Sequence, residues 1–344
     1  MKQTKISFLA IAIALASSPW FLPSIGEAGC NVNIGALAFP TIQSAINNSN
    51  PGGALITVMG ICNENNIFIG GNRANLTLDG QPDPAFPRAT IFSQTPPGTP
   101  LPNTNTAVNV NGASNVRIRN FILTGDGTSD GVSIVDGANV RLSNSIIENA
   151  FREGVFVRAA SARIFNNTIR NNGADGIIVT EGSAVRIGFS SIDDGIVSPN
   201  TIQGNALNGI SVLRSSTARI LGNTTTITGN GGHGISVSKA SQADIASNDI
   251  SGNGGDGINV TENSGVNLGS AVSAGATSVP PVPPVFTQPN TTTEPNSGVG
   301  IRCSIGAYVH GELGTLSGDR GAKRFDKTCI DRLSREHREK EEDD

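Results

Sequence analysis

The chain has 344 residues, 42 of them glycine, with 4% aromatic residues and a formal net charge of −4 at pH 7. So few aromatics argue against a large aromatic-filled globular core, and the lack of a basic excess argues against a nucleic-acid partner. Glycine, small turn residues and alternating β-branched residues predict many short strands.

Residues 1–28 read as a signal peptide. Lys2 and Lys5 supply a basic start, Ile6 to Ser17 an apolar run, and Gly26-Glu27-Ala28 a small-x-small cleavage site. The apolar run is short for a bilayer span, and no second run of spanning length follows, so the mature chain is expected to lack a transmembrane span and to be periplasmic or extracellular. A lipid on Cys30 is an alternative, with Glu27 a poor fit to the apolar residue such a site expects. Removing this segment takes away two lysines and one glutamate, moving the net charge from −4 to −5. Export makes the four cysteines candidate disulfides. Of the three pairings, Cys30 with Cys62 and Cys303 with Cys329 keeps each bridge within its own end of the chain; free buried thiols are the alternative.

Residues 29–106 read as an N-terminal cap and irregular first coils. Thr41-Ile-Gln-Ser-Ala-Ile predicts a short amphipathic helix with Ile42, Ala45 and Ile46 on one face, and a strand follows at Ala54-Leu-Ile-Thr-Val-Met. From 107 to 318 one phrase recurs: Gly131-Val-Ser-Ile, Gly154-Val-Phe-Val, Gly176-Ile-Ile-Val, Gly209-Ile-Ser-Val, Gly234-Ile-Ser-Val and Gly257-Ile-Asn-Val. Degenerate copies begin at Ala107 and Gly300, and the successive intervals are 24, 23, 22, 33, 25, 23 and 43 residues. That is an internal repeat. Each copy continues with an apolar-x-apolar triplet, such as Val140-Arg-Leu or Ala218-Arg-Ile. A third segment reads Asn-x-Ile-x-x-Asn, as from Asn144 to Asn149, Asn167 to Asn172, Asn200 to Asn205 and Asn248 to Asn253. Three strands and three turns in about 23 residues make one turn of a coil with no room for a helix. Stacked coils pair each strand in parallel with its counterpart, about 4.8 Å away. The predicted fold is all-β, a parallel β-helix. The long intervals place insertions near 189–198 and 271–296, the second Pro-rich and linker-like. Residues 319–344 read as a C-terminal cap and charged tail, with a frayed helix from Asp331 onward.

These three segments together resemble the right-handed parallel β-helix repeat of the pectin-lyase-like superfamily. The opening Thr41-Ile-Gln-Ser-Ala-Ile, Ile56-Thr-Val-Met-Gly and Glu64 resemble that superfamily's N-terminal cap. The resemblance covers about residues 30–315 and is specific for fold. It is weak for activity, because the superfamily includes lyases, hydrolases, epimerases and proteins with no known activity.

Two constellations carry candidate chemistry. The residue before each repeat glycine is, in order, Asp130, Glu153, Asp175, Asn208, His233 and Asp256. Stacking aligns them on one edge, where carboxylates and an imidazole serve as general acid and base toward a sugar. The bland alternative is turn chemistry, since Asp and Asn are favoured before Gly in a tight turn. Gly232-His233-Gly234 resembles the Gly-His-Gly of polygalacturonases, and Asp193-Asp194 their paired aspartates. The Asn-Thr-Asp and Arg-Ile-Lys segments of that family are missing, and Asp193-Asp194 falls in an insertion. His233, Asp256, Asp175, Asp193 and Asp194 are therefore the weak catalytic candidates. The second constellation is Arg117, Arg141, Arg163, Arg186 and Arg219, each the outward middle of a second strand. Stacked like charges repel unless anions sit between them, and guanidinium groups pair bidentately with carboxylates and sulfates. These five are the ligand-binding candidates; paired or solvated arginines are the alternative. Phe156 and Ile178 beside Arg158 offer an apolar platform. No cofactor and no metal are expected: Asp126-Gly-Thr-Ser-Asp130 is too sparse for Ca²⁺, and the Asp-Pro-His-Asp motif of alginate epimerases is absent.

The reading that follows is an exported, non-catalytic β-helix protein that binds anionic polysaccharide along the arginine column. One alternative is a lyase or hydrolase acting on uronate polymers with His233 and nearby carboxylates. The other is a structural surface protein without a ligand.

Overall fold

The computed structural model describes residues 29–93, 106–125, 130–191, 196–223, 226–269 and 287–334. The described strands form three sheets of 10, 13 and 8 strands that wind around one apolar interior. Sheet 1 holds the Gly-Ile-x-Val strands, from Ile67–Gly70 through Val155–Arg158 to Lys323–Phe325. Sheet 2 holds the arginine-bearing strands, including Asn139–Ser143, Ser161–Phe165, Ala184–Ile187 and Thr217–Leu221. Sheet 3 holds the short third strands, such as Thr168–Arg170 and Thr201–Gln203. The described strands of successive coils pair in parallel, and their inward residues join like with like: Val155 faces Ile177, and Ile164 faces Ile187. The inward members of these rows are fully buried. This is the predicted parallel β-helix.

The repeat glycine has a steric cause. A Cβ on Gly154 would lie 2.6 Å from Ile169 Cγ2 and 2.7 Å from the carbonyl oxygen of Gly176. Any side chain there would push apart the third strand and the next rung. The corner from sheet 1 to sheet 2 uses two successive left-handed residues, as at Glu181 and Gly182 or Arg214 and Ser215. Few of these are glycine, and their cost of order 1 kcal/mol each is offset by stacking. Gly182 N–H donates to the Arg214 carbonyl at 3.1 Å, and Ser215 N–H to the Lys239 carbonyl at 2.9 Å.

Buried polar ladders hold the remaining corners. Asn167, Asn200, Asn223, Asn248 and Asn290 form one, and Asn172, Asn205, Asn230, Asn253 and Asn296 a second. In each, an asparagine oxygen accepts from both the backbone N–H and the side-chain amide of the rung before. A third ladder, Ser183, Ser216, Ser241 and Ser264, follows the left-handed corner. The expected Asn144-to-Asn149 segment is out by one residue. Ser145 and Ala150 take the ladder positions, and Ile147, not Ile146, faces inward opposite Ile169. In a three-residue strand, Asn144/Ile146 and Ser145/Ile147 fit the alternation equally well, and only stacking separates them.

The N-terminal end is closed by an antiparallel hairpin, Asn31–Ile34 with Leu37–Phe39, and by the helix Ile42–Asn48. Ile42, Ala45 and Ile46 are its buried residues, as the sequence predicts. Thr41 caps it, and both Glu64 carboxylate oxygens accept from the Ile42 and Gln43 N–H groups at 2.7 Å. Cys30 is bridged to Cys62 and Cys303 to Cys329. The first bridge leaves Cys30 no thiol for a lipid. At the other end, Lys323–Phe325 and Ile330–Leu333 add two more parallel strands. Asp331 to Leu333 is thus strand, not the expected helix, because it pairs with Val309–Gly311. The signal segment, the rest of the tail and most of the 271–296 insertion lie outside the described residues.

Candidate functional site

Sheet 2 presents the arginine column. Strand register pairs Arg117 with Arg141, Arg141 with Arg163, Arg163 with Arg186 and Arg186 with Arg219. Alternation turns all five outward because Val116, Val140, Ala162, Val185 and Ala218, their neighbours in sequence, are buried. Arg117 is exposed and the other four are half-buried. At the next rung the charge reverses: Arg219 faces Asp244, with Nε 3.3 Å from Oδ2. Beside the column runs a groove of about 300 Å³, lined by Ser161, Ala184 and Thr217 as well as Arg163, Arg186 and Arg219.

The described ends of the 189–198 insertion follow the strand Ala184–Ile187 and meet there, Ser198 N–H donating to the Gly188 carbonyl at 2.8 Å. Phe189 is fully buried against Leu221, Ala246 and Val197, outside the main interior. Its ring centroid lies 6.0 Å from the Arg186 guanidinium carbon and 5.8 Å from that of Arg219, within cation–π range. Sequence reasoning placed Phe189 in a loop and missed this contact. A large aromatic residue at the start of the insertion, in a chain with few aromatics, was the available signal. On sheet 1 Phe156 and Ile178 are half-buried neighbours on adjacent rungs. Arg158 beside them is paired with Asp136 at 3.1 Å.

The column before the repeat glycines stacks at the corner between sheets 3 and 1. Gly131 N–H donates to the Glu153 carbonyl, Gly154 to Asp175, Gly176 to Asn208, Gly209 to His233 and Gly234 to Asp256, all at 2.9–3.0 Å. The four acids are nearly fully buried. From Asp175 onward each side chain accepts a backbone N–H of the next rung. Asn208 N–H donates to Asp175 Oδ1 at 2.7 Å, His233 N–H to Asn208 Oδ1 at 2.7 Å, and Asp256 N–H to His233 Nδ1 at 2.9 Å. At the rungs of His233 and Asp256 a glycine precedes the column residue, and a Cβ on Gly255 would sit 2.7 Å from His233 Nδ1; before Asn208 that place is held by Leu207.

This geometry fixes the histidine's chemistry. A backbone N–H only donates, so His233 Nδ1 is the acceptor and the ring proton sits on Nε2. Burial lowers the His233 pKa and the Arg302 charge adds to that, against the opposing pull of Asp256, so the ring is a neutral Nε2–H donor. Asp256 is brought beside it, 3.5 Å from Nδ1. Burial pushes the Asp256 carboxyl up, but the Arg302 guanidinium, donating at 2.6 and 3.0 Å, and the Val299 N–H hold it below the usual range. Asp256 is therefore a fixed anion already paired. Arg302, the outward residue of the degenerate Gly300-Ile-Arg-Cys copy, was missed as its partner; stacking that copy one rung beyond Asp256 would have revealed it. Asp175 lies two rungs before His233, and its pKa is raised chiefly by burial. Asp193 and Asp194 lie outside the described residues.

At the other end of the column Asp130 and Glu153 meet. Burial first, and then the Glu153 carboxyl, push the Asp130 pKa up to about 8. Glu153 Oε2 also lies 3.2 Å from the Nε of Arg152, which stands just before it in the turn, and the proton on Asp130 is what lets the two facing carboxyl groups hydrogen-bond. Among the described residues, no group of three or more His, Cys, Asp or Glu is close enough to hold a metal ion, and no helix is long and apolar enough to cross a membrane.

No curated protein matches the chain in sequence. Several solved structures are similar at low identity. Pectate lyase Pel9A is 13% identical with a TM-score of 0.46, over 85% of this chain and 74% of that one. The periplasmic alginate epimerase AlgG is 12% identical with a TM-score of 0.40, over 86% and 82%. The A-module of the Azotobacter vinelandii mannuronan C-5 epimerase AlgE6 is 17% identical with a TM-score of 0.35, over 80% and 76%. The family model for the right-handed β-helix region matches residues 28–192 and 189–271. Coil, ladder and corner agree with that match, and the chain belongs to the right-handed β-helix family.

Proposed function

We propose that this is an exported protein that binds anionic polysaccharide on the arginine face of sheet 2 without altering it. The observation that carries the reading is the strand register, which sets five arginines on consecutive rungs beside a groove. Like charges stacked at about 4.8 Å spacing repel, interposed anions relieve that repulsion, and carboxylate or sulfate groups suit guanidinium geometry. Two disulfides support a periplasmic or extracellular setting. Binding of alginate and polygalacturonate to the wild type and to Arg141→Ala/Arg163→Ala/Arg186→Ala tests it. The triple variant should lose most binding at low salt; unchanged binding would reject the reading.

A second reading, a lyase or hydrolase of uronate polymers, draws on the proton that Asp130 holds near neutrality beside Glu153. His233 serves it less well, since its Nδ1 is occupied and its partner Asp256 is tied to Arg302. A depolymerisation assay across uronate polymers, with and without Ca²⁺, decides between the readings. Turnover lost in Asp130→Asn or His233→Ala with folding retained would establish an enzyme. Neither binding nor turnover would leave a structural surface protein.

A further inference from the structure

Outward residues of sheet 2 form a second column beside the arginines. Asn139 faces Ser161, which faces Ala184, then Thr217, Gln242, Gly265, Tyr308 and Ile330. Its first four members are small or short and make a shelf at the foot of the Arg141–Arg219 row. A second hollow, about 440 Å³, continues the groove past Thr217 and Gln242 to Asp244, Asn267 and Tyr308. There the shelf stops. A Cβ on Gly265 would run into the Tyr308 ring, so the ring lies over that glycine, and the Tyr308 hydroxyl donates to Gln242 Oε1. Charge and shape therefore change together, from arginine to Asp244 and from small residue to aromatic ring.

We propose that this shelf is a polymer track parallel to the helix axis, taking a contiguous block of four or five uronate residues, one carboxylate per rung. This rests on the anionic-polysaccharide reading and adds the direction, the charge spacing and the end of the site. Rungs about 4.8 Å apart match one anionic group per sugar; a sparsely charged polymer brings fewer carboxylates to the row than it has arginines. Small shelf residues leave room for sugar rings at the arginine rungs. Beyond Arg219 the Asp244 carboxylate repels a further uronate, and the Tyr308 ring offers the flat apolar face on which a terminal sugar stacks.

The test is calorimetry of homogalacturonan oligosaccharides of two to eight residues, with methyl-esterified counterparts, at low salt. Affinity should rise about two- to fivefold per added residue, level off at four or five residues, and vanish on esterification. Ala184→Glu and Thr217→Glu, both exposed shelf positions, should each weaken the hexamer at least tenfold. Asp244→Asn should bind it more tightly and shift the plateau by one residue. If polygalacturonate binds but affinity is flat from two to eight residues, or neither shelf variant weakens it, the track is wrong and the binding reading stands. If polygalacturonate does not bind the wild type at all, both fall.

Discussion

At the scale of single residues, the fold is held by side chains that serve the rung beside them. Asn205 accepts from the Asn172 backbone and amide at 3.2 and 2.9 Å and donates to Asn230 Oδ1 at 2.9 Å. Asn205→Ala leaves buried groups unpaired at about 1–3 kcal/mol each, and urea unfolding should show a loss in that range or above. Exposed Asn139→Ala should stay within about 0.5 kcal/mol. Asp130 gives a pH signature. Its folded pKa of about 8 lies above the ordinary 3.8, so the folded state keeps a proton that the unfolded chain releases. Its contribution is full below about pH 4 and declines as pH rises toward 8. Asp130→Asn should flatten that decline in thermal melts between pH 5 and 8.5. Asp256, with its pKa lowered, works in the opposite sense and loses its contribution as pH falls below the ordinary carboxylate range.

At the scale of elements, what the sequence made legible follows from how many rungs repeat a signal. Gly-Ile-x-Val recurs six times, so strand, inward face and turn could be read from it. The arginine column could be read for the same reason. Contacts made once, such as Phe189 under Arg186 and Arg219 or Arg302 on Asp256, have no repeat to announce them. The serine ladder did repeat, but serine in a turn is so common that its burial was invisible without the stack. Two errors share one cause. Ser145/Ile147 and the strand Ile330–Leu333 are decided by pairing with a neighbouring coil, which local pattern does not encode. The cap helix is the element most dependent on one distant group. Its N-terminal N–H groups rest on Glu64, 21 and 22 residues away. Glu64→Ala should cost about 1–2 kcal/mol, and limited proteolysis should cut first near residues 40–50. Wild-type resistance at that site in the variant would show that Thr41 alone secures the helix.

At the scale of the whole molecule, a stack of parallel coils must end without templating further strands. The hairpin and helix cover one end; at the other, the last two strands carry Lys323, Arg324, Asp331 and Arg332, charges that discourage edge pairing. Between these ends the coil offers two polar faces of different character. The corner column from Asp130 to Asp256 spends its side chains on neighbouring rungs and on Arg302, and reads as structure. On the arginine face of sheet 2, Arg219 pairs with Asp244 at one end and Arg119 with Asp79 at the other, and the row between them lies beside the groove. Residue-resolved arginine modification with phenylglyoxal, with and without alginate, tests this division directly. Binding at sheet 2 should protect Arg141, Arg163 and Arg186 while Arg152, Arg158 and Arg302 react equally in both samples. Protection of Arg152, Arg158 and Arg302 with Arg141, Arg163 and Arg186 unchanged would place the ligand on sheet 1 and contradict the account.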